Sequence, residues 1–335
     1  MVVAKTDAVS KENLDGETLR AMYRHMLRSR VLDERMWVLN RQGRAPFWIS
    51  GMGHEAIQVA VGMNMESGTD WLAPYYRDLA LTLVLGMTPR DHLLSVLAKA
   101  EDPNSGGRQM PAHYGSRAHN IISTGSPTTT QLLHAAGIAL AMKMRGDKAI
   151  CVTAFGEGST SGGDFHEALN FTATHKLAVV FVVENNGYAI SVPVEKQMAT
   201  PNVSDRAIAY GIPGVSVDGS DAIACYRAAR DAVQRARSGG GPTLLEAKVH
   251  RLTSHSSDDD QRRYRSADDL EAERLQDCMP RFRAMLEDLG VLGPGDSDSL
   301  RTELVAEVDE GTAYAEQAAD PVAETALLHV YAEDS

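Results

Sequence analysis

Apolar and polar positions follow two different periods along the chain. From residue 16 to residue 40, apolar side chains recur every three or four positions, which predicts a long amphipathic helix. Between residues 130 and 249, helical segments instead separate short runs that are apolar at every position and rich in β-branched residues. Such runs indicate strands buried on both faces, and strands that alternate with helices form parallel sheets.

These patterns predict an α/β protein whose mostly parallel sheet is flanked by helices, with an N-terminal helical segment and C-terminal helices. One short strand is predicted to begin at residue 71. The other predicted strands span 148–154, 178–183, 215–217 and 243–249. The further predicted helices span 53–63, 79–100, 130–145, 161–175, 204–210, 222–237 and most of 267–316. We expect a flexible N-terminus over residues 1–15, one domain over 16–320 and a C-terminal tail over 321–335.

Charge and composition narrow the possible partners. The 335 residues include 33 lysines and arginines against 45 acidic residues, a net charge of −12, which argues against nucleic acid or an anionic membrane as partner. Three widely separated cysteines form neither a disulfide framework nor a zinc motif. No apolar run approaches the roughly 20 residues of a membrane span. The N-terminal residues lack the features of a signal or transit peptide, so a cytoplasmic location is expected.

The candidate chemistry lies where two adjacent strands end. Gly156, Glu157 and Gly158 follow one apolar run, and Asn185 and Asn186 close the next. Ligands of parallel sheets bind at the carboxyl ends of the strands, and Mg²⁺ prefers oxygen ligands and keeps phosphate oxygens among them. A helix starting near residue 161 would direct free N–H groups at those phosphates. The pattern therefore predicts a divalent cation that holds a diphosphate.

Two other classes of function compete with this interpretation. A dinucleotide-binding oxidoreductase would need a third glycine after Gly158 and an acid that ends the next strand. Residue 161 is serine, and Glu184 stands directly before the two asparagines, which favours the cation. A non-catalytic scaffold subunit is the other alternative, and the complete ligand set argues against it.

The paired Gly-Glu-Gly and Asn-Asn motifs resemble the signature of thiamine diphosphate enzymes. From about residue 20 to about residue 320 the chain resembles alpha subunits of the decarboxylating component of 2-oxo acid dehydrogenase complexes. Within that group it is most similar to the branched-chain (2-oxoisovalerate) members, on the segments 107–115 (GRQMPAHYG) and 254–259 (SHSSDD). Pyruvate and acetoin relatives typically carry a Gly-Ser-Met-His stretch at the first segment, and they are the alternative assignment.

The resemblance implies a reaction and partners. The reaction is oxidative decarboxylation of a small branched-chain 2-oxo acid with thiamine diphosphate and Mg²⁺, followed by reductive acylation of a lipoyl-bearing dihydrolipoyl acyltransferase. A glutamate that activates the cofactor comes from the beta subunit in this family, and the chain has no candidate for it. The cofactor is therefore expected at an alpha–beta interface of an alpha2beta2 heterotetramer.

The resemblance also implies roles for individual residues. The Mg²⁺ ligands would be Glu157, Asn186 and the main-chain carbonyl of Tyr188. Cofactor contacts are implied for Tyr76, Arg77, Ser126, Thr128, Gly156, Glu157, Gly158, Ser159, Asn186 and His255. Phe47, Tyr76 and His113 would contact the substrate, and the catalytic candidates are His255, near the thiazolium, and His113. The chain departs from the family pattern at Gly162, where many relatives carry an acid or an amide, and Glu157 replaces a commoner aspartate.

Several of these residues also have simpler interpretations. Arg77 could pair with its neighbour Asp78, and Ser126 could cap a helix whose first turn contains Pro127. A loop histidine beside aspartates, such as His255, is often only solvated, yet it also matches a proton donor that titrates near neutral pH. The acidic run at residues 258–260 lacks the spacing of a calcium loop and is predicted to form a charged, mobile flap.

Overall fold

The computed structural model describes residues 14–328 and 331. Most of the predicted flexible N-terminus, and positions 329, 330 and 332–335 of the predicted tail, lie outside the described residues. The α-helices are α1 (Gly16–Arg41), α2 (Glu55–Met63), α3 (Leu79–Val84), α4 (Pro89–Val96), α5 (Thr130–Arg145), α6 (Gly163–Thr174), α7 (Ala222–Arg237), α8 (Ala267–Leu275), α9 (Cys278–Asp288) and α10 (Asp296–Gln317). No helix of this part of the chain is long and apolar enough to cross a membrane.

Five parallel strands form the central sheet, in the order β1-β2-β3-β7-β6. Its strands are β1 (Trp71–Ala73), β2 (Cys151–Gly156), β3 (Val179–Asn185), β6 (Gly214–Asp218) and β7 (Thr243–Lys248). A small antiparallel pair, β4 (Tyr188–Ala189) and β5 (Val192–Pro193), follows β3 directly. Because all five sheet strands run the same way, the ends of β2 and β3 lie side by side at one edge.

Alternate side chains of the sheet enter two cores, as expected for strands buried on both faces. On β3, Val180 and Val182 pack into the core that contains α1, α2 and α7. Val179, Phe181 and Val183 point to the opposite face, where they pack with α5 and α6. The predicted α/β class, with a parallel sheet flanked by helices, is therefore confirmed.

The long helix α1 is held against the C-terminal helix α10. Asp15 caps α1 by accepting a hydrogen bond from the Thr18 N–H at 2.7 Å. Arginines along α1 pair with carboxylates along α10, in the pairs Arg20–Asp296, Arg24–Glu303, Arg28–Glu307 and Arg35–Asp309. Most of these side chains are partly exposed, so the buried apolar face of α1 contributes more to stability than the pairs do.

Four predicted elements differ from the structure. The helix predicted over 79–100 is two helices, because Gly86 adopts φ +120° and Thr88 with Asp91 forms a capping box that starts α4. The strand predicted over 148–154 is β2, which lies further along the chain and ends at Gly156. The helix predicted from 161 begins at Gly163, after a 3₁₀ turn over Glu157–Ser161. The C-terminal helical region is divided into α8, α9 and α10.

Candidate functional site

A cavity of about 370 Å³ opens at the carboxyl ends of β2 and β3. Every residue that the sequence assigned to the site lines it: Phe47, Tyr76, Arg77, His113, Ser126, Thr128, Gly156, Glu157, Gly158, Ser159, Asn186, Tyr188 and His255. These residues come from seven separate segments of the chain, which the fold brings to one place. The wall also contains Ile49, Tyr75, Met110, Ala189 and Ile190, which the sequence did not single out.

Glu157 is a buried carboxylate without a cationic partner in the part of the chain that the structure describes. Its side chain is 2% exposed, and it accepts two long hydrogen bonds of 3.3 Å, from the Asn186 N–H and from Gln197 Nε2. Among the described residues it forms no ion pair, and burial raises the pKa of its carboxyl group. A cation in the cavity would favour the ionised carboxylate.

A cation here could not depend on carboxylates alone. Residues 14–328 contain no group of three or more histidine, cysteine, aspartate or glutamate side chains that could hold a metal ion. The remaining oxygen donors at this position are the Asn186 amide, main-chain carbonyls and the oxygens of a bound ligand. Such a mixed set suits a hard cation that stays bound to phosphate.

The backbone around Glu157 leaves room for a ligand. A Cβ added at Gly156 would meet no atom within 4 Å, so the cavity extends up to its main chain. A Cβ at Gly158 would lie 2.6 Å from the Ala189 Cβ, which forces glycine where the β4–β5 hairpin crosses the 3₁₀ turn. Ile190, at the hairpin tip, adopts φ +55°, a strained conformation for a β-branched residue, and its carbonyl accepts a 2.9 Å hydrogen bond from Arg251.

Arg77 is the complement of Glu157, because it is a buried guanidinium without an anionic partner among residues 14–328. It is 2% exposed and donates to the Ser50 carbonyl at 2.6 Å and to His255, at Nδ1 and at the main-chain oxygen, both at 3.1 Å. It forms no ion pair within the described residues. The alternative pairing of Arg77 with Asp78 is therefore wrong.

Asp78 instead belongs to a buried polar cluster behind the cavity, together with Glu184 and His54. Burial and the charge of Glu184 raise the pKa of Asp78 well above its usual range. Glu184 Oε2 lies 2.6 Å from His54 Nδ1 and accepts a 3.1 Å hydrogen bond from the Tyr75 hydroxyl. Glu184 thus does not line the cavity. The acid of a dinucleotide site would have to line it in order to reach the ligand.

His255 is neutral at physiological pH. Burial lowers its pKa to about 4, and the positive charges of Arg77 and Arg251 add to the effect while Asp259 opposes it. Because Arg77 can only donate, Nδ1 of the neutral ring accepts and Nε2 carries the proton. The expectation that this histidine titrates near neutral pH is wrong for the protein without ligand, since two arginines converge on it.

His113 and Ser126 are joined across the cavity mouth. His113 Nδ1 donates to the Pro111 carbonyl at 3.2 Å, and Nε2 lies within hydrogen-bond distance of the Ser126 hydroxyl, at 2.8 Å. The alternative role of Ser126 as a helix cap is wrong, because α5 begins at Thr130 with Thr129 at the N-cap position.

The polar loop 251–265 is anchored by buried side chains. Arg265 donates to the Arg251 carbonyl at 3.0 Å, and both arginines are buried. The Ser257 N–H donates to the Trp48 carbonyl at 2.8 Å, and Asp259 accepts from the His255 N–H at 2.9 Å. Mobility of residues 258–260 stays a prediction, but the loop around them is fixed at several points.

Gly162, where the chain departs from the pattern of many relatives, lies against Thr129. A Cβ at Gly162 would lie 2.9 Å from Thr129 Oγ1, so the space that a side chain would need is filled by Thr129.

Of the cavity residues that the sequence analysis missed, Tyr75 and Met110 lie inside or beside segments that it had already singled out. Ile49 could not be found from the sequence, because an apolar residue of a cavity wall cannot be distinguished there from an apolar residue of the core.

Comparisons with known proteins agree in the type of protein they find. A sequence model described as "Dehydrogenase E1 component" matches residues 23–324. The chain is 49% identical over 311 residues to 2-oxoisovalerate dehydrogenase subunit alpha of Bacillus subtilis, covering 93% of this chain and 94% of that relative. It is 40% identical over 279 residues to 3-methyl-2-oxobutanoate dehydrogenase subunit alpha of Mycobacterium tuberculosis, covering 83% and 73%. It is 37% identical over 313 residues to pyruvate dehydrogenase E1 component subunit alpha of Bacillus cereus, covering 91% and 80%.

Proposed function

Because this chain belongs to the dehydrogenase E1 component family, whose members depend on thiamine diphosphate, we propose that it is the alpha subunit of a branched-chain 2-oxo acid dehydrogenase. With a beta subunit, as an alpha2beta2 heterotetramer, it decarboxylates a 2-oxo acid oxidatively and acylates a lipoyl-bearing acyltransferase. The cofactors are thiamine diphosphate and Mg²⁺.

One observation carries this proposal more than any other. The cavity contains a buried guanidinium, Arg77, and a buried carboxylate, Glu157, and neither has a partner of opposite charge among the described residues. Isolated buried charges are costly, and each is relieved by a ligand of the opposite charge. A magnesium diphosphate supplies both charges in one ligand, with phosphate oxygens for Arg77 and a divalent cation for Glu157.

The chain's own residues would hold this group in a defined way. Glu157, the Asn186 amide oxygen and the Tyr188 carbonyl would ligate Mg²⁺, while Arg77 and Tyr76 would bind the diphosphate. Thiamine diphosphate, when bound, supplies the electron sink for decarboxylation. Ser126 and Thr128 would border its aminopyrimidine ring at the cavity mouth.

The catalytic proposal for His255 depends on its tautomer. Arg77 fixes Nδ1 as the acceptor, so Nε2–H is the group available to donate a hydrogen bond to a substrate oxygen. An anionic diphosphate beside Arg77 would offset the charge that depresses the pKa of His255. His113 would act from the side of the cavity that is proposed to hold the acyl group of the substrate. Its contacts with Pro111 and Ser126 fix its orientation.

The partner follows from what the cavity wall lacks. Among the described residues that line it, Glu157 is the acidic one, and it is assigned to the metal. In this family a glutamate of the beta subunit activates the aminopyrimidine ring, and the lining supports a cofactor site that the beta subunit completes. The chain alone would bind thiamine diphosphate weakly and turn over no substrate.

The substrate assignment gives a direct prediction. The branched-chain acid carries two more carbon atoms than pyruvate, and the cavity offers Phe47, Ile49 and Met110 as apolar walls for them. At roughly 0.8 kcal/mol for each buried carbon, we expect at least about a tenfold higher kcat/KM for 2-oxoisovalerate than for pyruvate. Steady-state kinetics of the assembled enzyme with both acids measures this ratio.

The same experiment tests the alternative assignment. A higher kcat/KM for pyruvate, with the same beta subunit and acyltransferase, would make the chain a pyruvate dehydrogenase alpha subunit, as in the Bacillus cereus relative. 2-Oxobutanoate, intermediate in size, serves as the internal control, because a ratio set by apolar burial should place it between the two.

A further inference from the structure

Asp33 is a fully buried carboxylate on α1 that lies outside the cavity. Its side chain is 1% exposed and accepts three hydrogen bonds, from Trp48 Nε1 at 2.8 Å, from Ser50 Oγ at 2.9 Å and from the Gly51 N–H at 2.8 Å. All three donors are neutral, and Asp33 has no ion-pair partner in the described part of the chain. Desolvating a carboxylate in this way opposes folding, so it points to a requirement other than stability.

All three donors belong to one short segment, residues 47–51, which we call the wall segment. Phe47 and Ile49 of this segment line the cavity, on the side proposed for the acyl group of the substrate. The residues between and after them are the ones that Asp33 holds. Asp33 therefore fixes the backbone from which two apolar walls project.

The wall segment also connects the two loops that carry the charged site residues. The Ser50 carbonyl accepts the 2.6 Å hydrogen bond from Arg77. The Trp48 N–H donates to the Ser257 hydroxyl at 3.1 Å, and the Trp48 carbonyl accepts from the Ser257 N–H at 2.8 Å. The contact is close, since a Cβ at Gly51 would lie 2.6 Å from the Arg77 carbonyl oxygen. A shift of this segment would thus move the apolar walls and Arg77 together.

We propose that Asp33 is a positioning residue that sets the acyl wall of the cavity and, through Ser50, the guanidinium of Arg77. This inference rests on the proposed function, because it assigns the wall to substrate discrimination. Asp33 touches neither ligand and acts through the wall segment.

The chemistry of the three donors requires aspartate at this position. Oδ1 faces the indole N–H, while Oδ2 faces a hydroxyl and a main-chain N–H. Asparagine in either orientation would place its NH₂ group against a donor. Burial raises the pKa of Asp33 to about 6 although the three hydrogen bonds oppose this, so the group is ionised at neutral pH.

The test compares Asp33→Asn with Asp70→Asn in the assembled enzyme. Asp70 is equally buried and accepts from Ile150, Glu66 and Arg237, but it precedes β1, at the edge of the sheet opposite the cavity. We expect Asp33→Asn to lower the ratio of kcat/KM for 2-oxoisovalerate over pyruvate by about tenfold and to weaken thiamine diphosphate binding. Asp70→Asn should lower the Tm while leaving that ratio unchanged.

Trp48→Phe provides a second variant in case Asp33→Asn does not fold. It removes one donor but keeps the carboxylate and the other two bonds, so a smaller loss of the same ratio is expected. Hydrogen exchange of the Trp48 indole N–H, resolved from Trp37 and Trp71, should be fast in Asp33→Asn and slow in wild type and Asp70→Asn.

An Asp33→Asn enzyme that exchanges the Trp48 indole proton rapidly but keeps the wild-type ratio and cofactor affinity would overturn the inference. So would a ratio that falls equally in Asp70→Asn. If wild type turned over no 2-oxo acid, the proposed function would fail separately. The loss of diphosphate affinity in Asp33→Asn, relative to Asp70→Asn, would then decide whether Asp33 positions Arg77.

Discussion

Replacing Glu157 with glutamine should lower the Mg²⁺-dependent affinity for thiamine diphosphate by on the order of 100-fold while leaving the fold intact. Glutamine keeps the volume of the side chain but cannot supply the charge that a buried divalent cation requires. The protein without ligand should be no less stable, because a neutral amide avoids the desolvation that raises the pKa of Glu157. Isothermal titration with Mg²⁺ present and a thermal melt of the free protein measure the two effects.

Two further variants sharpen this first test. Asn186→Leu removes a second proposed ligand and should act in the same direction, whereas Asp70→Asn removes a buried carboxylate at the opposite edge of the sheet and should leave affinity unchanged. Wild-type affinity in both Glu157→Gln and Asn186→Leu would eliminate the metal assignment.

Replacing Arg77 with methionine should also weaken thiamine diphosphate binding by on the order of 100-fold, with little loss of stability in the free protein. Since the guanidinium pairs with no carboxylate of the described residues, its removal deletes hydrogen bonds to Ser50 and His255 without leaving a buried anion unpaired. The pKa of His255 should rise part of the way toward its ordinary value, because the positive charge of Arg77 is gone. Burial, the larger cause of the low pKa, remains.

Arg237→Met is the matched control for this second test. Arg237 pairs with the buried Asp70 at 2.7 Å, so its loss leaves an anion unpaired and should lower the Tm more than Arg77→Met does. Its diphosphate affinity should equal that of wild type. An Arg77→Met enzyme that is strongly destabilised yet binds the diphosphate normally would mean that Arg77 is a structural residue.

The fold could be predicted where local signals agree with the tertiary structure. Helices α5 and α7 have the bounds that the apolar period predicts, because Gly146 ends the first in a left-handed conformation and Asp221 caps the second. The break between α3 and α4 also has a local signal, the capping box at Thr88, but the continuing apolar period hid it. The start of α6 at Gly163 depends on how the preceding 3₁₀ turn packs, which sequence does not reveal.

The candidate site was predictable as a set of residues but not as an electrostatic arrangement. The resemblance identified residues that all line one cavity, including Tyr76 and His255. It could not reveal that Arg77 bonds to Ser50 and His255 rather than to Asp78, since both partners are distant in sequence. Nor could it reveal the low pKa of His255, which arises where Arg77 and Arg251 converge from different loops.

Titration of the chain with thiamine diphosphate, with and without Mg²⁺ and a beta subunit, tests the central claim most directly. Among the described residues Arg77 has no anionic partner and Glu157 has no cationic one, and their presence in one cavity predicts saturable binding of one diphosphate per alpha subunit in the assembled enzyme. It also predicts that a chelator abolishes this binding and that the chain alone binds weakly. Binding that is unaffected by removal of Mg²⁺, or an assembled enzyme that binds no thiamine diphosphate, would contradict it.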